Sequence, residues 1–285
     1  MTFAAAMEQL EAIADAESDP TINPICRGFA HTYGQRTARC VILLHGYTNC
    51  PQQFRRFADQ LHQLGHNVYV PRIPRHGLAD RMTDALSYLN RTELLRALDQ
   101  AISLATGLGE RVDLVGLSTG ANLVIHAAQH RSDIHQAVII APVLGTPTIP
   151  FWATTVLARL ATVAPNQFRW WDPQIRDQGL RVRHAYPRIA TRSLGMLVGM
   201  GLQTLARARF APPRARDILV VYNAADEAVT RAPIEKLVAR WRHHGAHVRT
   251  HCFAVELGLI HDLIDPDQEQ QQVDYVYPVL LDLIC

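Results

Sequence analysis

A hydroxyl becomes a useful nucleophile only where a base takes its proton and donors wait for the charge that develops. Gly116-Leu117-Ser118-Thr119-Gly120 is the stretch of this chain best suited to present one. Arg111 to Val115 reads as a strand and Ala121 to His130 as a helix, so Ser118 falls on the tight turn between them. Such a turn forces positive-φ backbone on the serine, and residues two positions away on either side then crowd it. Gly116 and Gly120 have no Cβ to clash. The turn also sets Ser118 at a helix start, where free N–H groups and the dipole favour negative charge. Chance alone can produce G-x-S-x-G, but it rarely adds the strand before and the helix after.

A serine on such a turn needs a base and an orienting acid, which follow it in the order serine, acid, histidine. Each should stand just past a strand, so that all three meet above one sheet. Asp217–Tyr222 reads as a strand and runs directly into Asn223-Ala224-Ala225-Asp226. His247–Ala254 reads as the next, and His261 lies in the loop beyond it. Asp226 is therefore the expected acid and His261 the expected base, with Glu227 as the fallback acid.

Tetrahedral intermediates of acyl transfer need two aimed N–H donors. Thr119, directly after the nucleophile, supplies one. The strand Val41–Leu44 runs into His45-Gly46-Tyr47-Thr48-Asn49, where Gly46 lets the backbone turn and the Tyr47 N–H is the natural second donor. His45 reads as a structural histidine that pins this loop.

The chain holds 14 histidines, so a single one is weak evidence of chemistry. His76, His126, His130 and His184 read as surface or core positions. His243, His244, His247 and His251 raise the question of a metal, but on a strand His247 and His251 do not converge. No metal site is expected.

The elements that must position these residues alternate between β-rich runs and helix-period segments, the pattern of a mainly parallel sheet covered by helices. The strands expected are Cys40–Leu44, Asn67–Val70, Arg111–Val115, Gln136–Ala141, Asp217–Tyr222 and His247–Ala254. They are apolar enough to be buried on both faces. Phe54, Phe57, Ala58, Leu61 and Leu64 follow helical spacing, with Pro51 near the start and Gly65 as the stop. Asn90 and Glu93 make a capping pair ahead of Leu94, Leu95, Leu98 and Ile102. Later helices run from Arg231 to His243 and from Gln268 to Leu283, the second interrupted by Pro278.

Residues 143–212 break the rhythm: they show no convincing strand and are dense in proline, tryptophan and methionine. They are expected to form a helical cap inserted into a core of residues 1–142 and 213–285. Such an insertion sits over the carboxyl ends of the strands, where open α/β sheets bind ligands. Its apolar stretches, Phe151 to Leu160 and Leu194 to Leu202, would supply the inner face.

At 285 residues, with 48% hydrophobic and 19% charged, the chain has the composition of a globular protein with a sizeable core. Its formal charge of +2, nearly all from arginine beside the single Lys236, gives no basic field for nucleic acid. No run of 18 apolar residues exists, so no transmembrane segment is expected. Met1 to Pro20 carries acids where a signal peptide would carry a positive front, and the expected localisation is cytoplasmic. The five cysteines lack C-x-x-C spacing and suggest neither a disulfide framework nor a zinc site, although a single bond such as Cys26 to Cys40 stays open.

Together these pieces resemble the α/β-hydrolase superfamily, in particular bacterial carboxylesterases and monoacylglycerol lipases. The resemblance rests on His45-Gly46-Tyr47-Thr48, the Gly116–Gly120 turn, the Asp226 turn and the His261-Asp262 loop. Pro71-Arg72-Ile73-Pro74-Arg75-His76-Gly77 is similar to a family loop that commonly ends in Gly-His-Gly, with Arg75 in place of the first glycine, and Ala121 stands where a third glycine is frequent. The resemblance implies a serine hydrolase of small apolar esters, short to medium acyl esters or monoacylglycerols, that needs no cofactor. Thioesterase, lactonase, peptidase or acyltransferase chemistry on the same triad remains open, as does a small-molecule receptor on the same fold.

Overall fold

The computed structural model describes residues 1–171 and 184–285. Its centre is a seven-stranded sheet: β1 (Phe29–His31), β2 (Thr37–Leu44), β3 (Asn67–Val70), β4 (Gly109–Leu117), β5 (Ile134–Ile140), β8 (Asp217–Asn223) and β9 (Val248–Phe253), in the order β1-β3-β2-β4-β5-β8-β9. Edge strand β1 runs antiparallel to β3, and every other neighbouring pair is parallel. All six expected strands are present. The apolar residues that suggested two covered faces are covered: Val41 to Leu43 and Ala137 to Ile140 are fully buried.

The helices are α1 (Phe3–Ala16), α2 (Arg55–Gln63), α3 (Arg91–Leu108), α4 (Thr119–His130), α5 (Phe151–Val163), α6 (Thr191–Arg207), α7 (Arg231–His243) and α8 (Val273–Ile284). In the Asn90–Glu93 cap at the start of α3, Glu93 N–H donates to Asn90 Oδ1 at 3.0 Å. α2 stops before Gly65, which takes φ +92°, but Leu64 is half exposed and not part of the apolar face. The last helix differs from expectation. Gln268 to Gln272 form a loop, and α8 continues through Pro278 instead of being interrupted by it.

Three short strands were not expected. β1 is one, and the others are β6 (Phe168–Trp170) and β7 (Arg188–Ala190), an antiparallel pair within residues 143–212. Within that segment α5 and α6 pack on each other, and α6 packs on α4. Residues 172–183 lie outside the described part. α6 buries Leu197, Val198, Met200 and Leu202. On α5 the outcome is reversed: Trp152 is 81% exposed, and Val156, Leu157 and Leu160 are also exposed, so these side chains do not form an inner face.

The cysteine pairing also differs. Cys26 is bonded to Cys50, whereas Cys40 is a free thiol buried in β2, so a Cys26–Cys40 bond is ruled out. No helix among the described residues is long and apolar enough to cross a membrane.

Candidate active site

After β2 the chain moves to one side of the sheet to make β3, and after β4 it moves to the other. The loops leaving the carboxyl ends of β2 and β4 therefore diverge and leave a crevice, as open α/β sheets do where strand order reverses. Gly46, Tyr47 and Ser118 line a cavity of about 830 Å³ at this point. His261 lines it too, arriving from the loop after β9.

Ser118 sits between β4 and α4 with φ 57° and ψ −115°, the left-handed strain that its flanking glycines predict. The glycines act through different neighbours. A Cβ on Gly116 would stand 2.5 Å from the backbone of Gly120, and one on Gly120 would stand 2.0 Å from the carbonyl oxygen of Leu44. The turn is thus wedged against the end of β2. Ser118 N–H donates to Ile140 O at 2.9 Å, which ties the serine turn to β5.

Asp226 follows β8 in a turn closed by its own backbone and side chain. Its Oδ1 accepts from Ala228 N–H at 2.8 Å and from Val229 N–H at 3.3 Å. Its Oδ2 accepts from His261 Nδ1 at 2.7 Å. The carboxylate is only 3% exposed, so this charge-assisted bond is sheltered from water. With Nδ1 donating, the lone pair of the imidazole is on Nε2, the tautomer a general base requires. Glu227 is exposed and takes no part. Ser118 Oγ makes no hydrogen bond to Nε2 here, a link that in such sites often tightens only around bound substrate.

The loop after β2 supplies the donors. Gly46 N–H is taken by Gln53 Oε1 at 2.8 Å. The N–H groups of Tyr47 and Thr119, the two expected oxyanion donors, have no acceptor among the described residues. His45 is fully buried: its Nδ1 bonds Gly46 O at 3.0 Å, and its Nε2 accepts from Ile73 N–H at 3.1 Å. Burial and neighbouring His76 hold it well below the usual imidazole range, so it pins the loop as a neutral ring. Tyr47 hydroxyl bonds Ser193 Oγ at 2.6 Å and accepts from Ala190 N–H at 3.1 Å, joining the loop to the start of α6.

Sequence reasoning missed the residues that hold the base loop. Asn223 Nδ2 donates to Leu259 O at 2.8 Å and Ile260 O at 3.1 Å, just ahead of His261. Just after it, Asp262 Oδ2 accepts from Gln53 at 2.7 Å, Asn49 at 3.1 Å and Gln268 at 3.2 Å. Burial, with Asp265 close by, pushes the Asp262 carboxyl up to about 6. Buried His184 also touches this network. Its Nε2 lies 2.8 Å from Asp265 and its Nδ1 3.5 Å from Asp267, so both ring nitrogens face carboxylates.

Residues 41–256 match the family model described as the alpha/beta hydrolase family. The chain belongs to the alpha/beta hydrolase family. This hydrolase is 26% identical over 192 residues to the thermostable monoacylglycerol lipase of Bacillus sp. (strain H-257), a match covering 65% of this chain and 70% of that one. Its fold is shared with the Paleococcus ferrophilus monoacylglycerol lipase (TM-score 0.65, 17% identity, covering 90% of this chain and 98% of that one). It is shared also with a soluble variant of the monoglyceride lipase from Saccharomyces cerevisiae (TM-score 0.66, 13% identity, covering 90% and 89%). The hydrolase's matched segment takes in Ser118 and Asp226 and stops short of His261, which the geometry above places beside Asp226.

Proposed function

We propose that this enzyme hydrolyses carboxylic esters through an acyl-enzyme on Ser118. The reading is carried by the 2.7 Å bond between His261 and Asp226 at the cavity that Ser118 lines. In this reaction Ser118 Oγ attacks the ester carbonyl while His261 Nε2 takes its proton. The oxyanion is held by the N–H groups of Tyr47 and Thr119. Collapse expels the alcohol, which leaves with the proton from His261. Water, deprotonated by the same imidazole, then attacks the acyl-enzyme, and Ser118 regains its proton as the acid departs.

The cavity wall supports small apolar esters, either short to medium acyl esters or monoacylglycerols. Tyr47, Leu117, Trp171, Ala185, Ile189 and Ile260 line it and offer apolar surface for the acyl chain. Gln268 and Gln270 also line the cavity and offer hydrogen-bonding groups for a hydroxylated alcohol. Residues 143–212 serve as the cap in this reading, because Trp171, Ala185 and Ile189 come from them. The Cys26–Cys50 bond favours an oxidising compartment.

The test is a fluorophosphonate label together with a series of p-nitrophenyl and glyceryl esters of increasing acyl length. Labelling at Ser118 with burst kinetics and turnover is expected. A labelled protein that turns over none of the series would point to another acyl chemistry, and an unlabelled one to a receptor.

A further inference from the structure

The oxyanion donor and the base arrive on separate loops, one after β2 and one after β9, and catalysis needs them held in one register. Two side chains span the gap: Asn49 Nδ2 reaches Asp262 Oδ2 at 3.1 Å, and Gln53 makes the closer bond. Gln53 is 2% exposed; its Oε1 accepts from Gly46 N–H at 2.8 Å, and its Nε2 donates to Asp262 Oδ2 at 2.7 Å. Gly46 immediately precedes Tyr47, and Asp262 immediately follows His261. An amide suits this place because it accepts at one end and donates at the other. A carboxylate could serve Gly46 but not Asp262, and an apolar chain could serve neither.

We propose that Gln53 is a positioning residue of this hydrolase, an amide strut that sets the oxyanion loop and the His261 loop at a fixed separation. The proposal rests on the ester-hydrolase reading for its kinetic consequence and on geometry alone for its structural one. Gln53 touches no reacting atom, and its effect passes through the Tyr47 N–H and the His261 ring.

The experiment compares the full-length parent with Gln53→Met, which keeps the length of the side chain and removes both bonds, and Gln53→Glu, which keeps only the bond from Gly46. Hydrogen–deuterium exchange is read over residues 45–50 and 259–265. Both stretches are expected to exchange at least about tenfold faster in Gln53→Met, because each loses its bond to Gln53 at once. Unchanged protection in either stretch overturns the strut whether or not the protein cleaves esters. Kinetically, kcat per fluorophosphonate-titrated serine should fall at least about tenfold with KM within about threefold, the mark of an interaction realised in the transition state. A raised KM with unchanged kcat would make Gln53 a substrate contact and overturn the proposal. Should Gln53→Met fail to fold, Gln53→Glu carries the same readouts, with exchange expected to rise most over 259–265; equal protection there overturns it.

Discussion

The backbone of Gly120 lies so close to the end of β2 that a Cβ on it would stand 2.0 Å from the carbonyl oxygen of Leu44. No side-chain rotation relieves an overlap between a Cβ and a backbone carbonyl. Gly120→Ala must push α4 or β2 away, moving the serine turn relative to the loop that carries Tyr47. We expect a loss of stability above about 3 kcal/mol, placing it among the strained-backbone substitutions that exceed the usual range. Thermal unfolding checks it, and a melting temperature within about 3 °C of the parent would contradict the packing.

Ser118→Ala removes one oxygen at a position that is 8% exposed and leaves the turn's glycines in place. Ester turnover should drop by several orders of magnitude with little change in melting temperature. Asp226→Asn tests the tautomer separately. An amide presenting N–H toward Nδ1 reverses the imidazole and moves its lone pair away from the serine, a change expected to cost on the order of 10⁴ in kcat. Activity within tenfold of the parent would mean that another group orients His261.

Buried His76 has its imidazole pushed down to about 4 by desolvation, and His45 behind it is lowered as well. Between pH 4 and the ordinary value of 6.5, the unfolded chain binds protons that the folded chain refuses, so stability rises with pH across that window. It is complete above about 6.5 and is lost as pH falls toward 4, with His76 alone accounting for roughly 3 kcal/mol. Unfolding by urea at several pH values should give a shallower dependence in His76→Gln than in the parent, and equal slopes would refute it.

Cys26–Cys50 joins the segment before β1 to the turn after the oxyanion loop, across 24 residues. Closing a loop of this length is worth about 3 kcal/mol to the folded state. Reductant, or Cys26→Ala, should lower the melting temperature by several degrees, and Cys40→Ala should not abolish that sensitivity to reductant. A parent whose melting is the same with and without reductant would show that the bond contributes nothing.

The residues proposed to react stand out in the sequence because their demands are local. Gly116 and Gly120 announce the turn of Ser118, and Asp226 and His261 each stand a few residues past a strand whose composition marks it. What holds those residues was not legible. Gln53, Asn49 and Asn223 are ordinary polar residues until distant loops come within reach, and no spacing rule joins Gln53 to Asp262. β1, β6 and β7 are three residues each, too short for a period to show. Pro278 was read as a break because proline removes a backbone donor, yet α8 tolerates it while burying Val276, Tyr277 and Leu280. The pairing of Cys26 with Cys50 could not be deduced at all, since cysteine count does not fix connectivity. The outward-facing Trp152, Val156 and Leu160 show the limit of periodicity, which marks a helix's apolar face without saying what that face meets.

Gly46 and Gln53 close the stretch between them into a small ring, sealed by a main-chain donor and a side-chain acceptor. A ring of this kind has a fixed number of members. One extra residue between them would swing the amide of Gln53 off the axis joining Gly46 to Asp262, so length variation tolerated by most surface connections is barred here. The chain has room to grow elsewhere: Gly34 and Gly245 occupy turns where an added Cβ meets nothing within 4 Å. A tag or spectroscopic label inserted at either of those turns should leave the enzyme whole, while the same insert six residues past β2 should disable it.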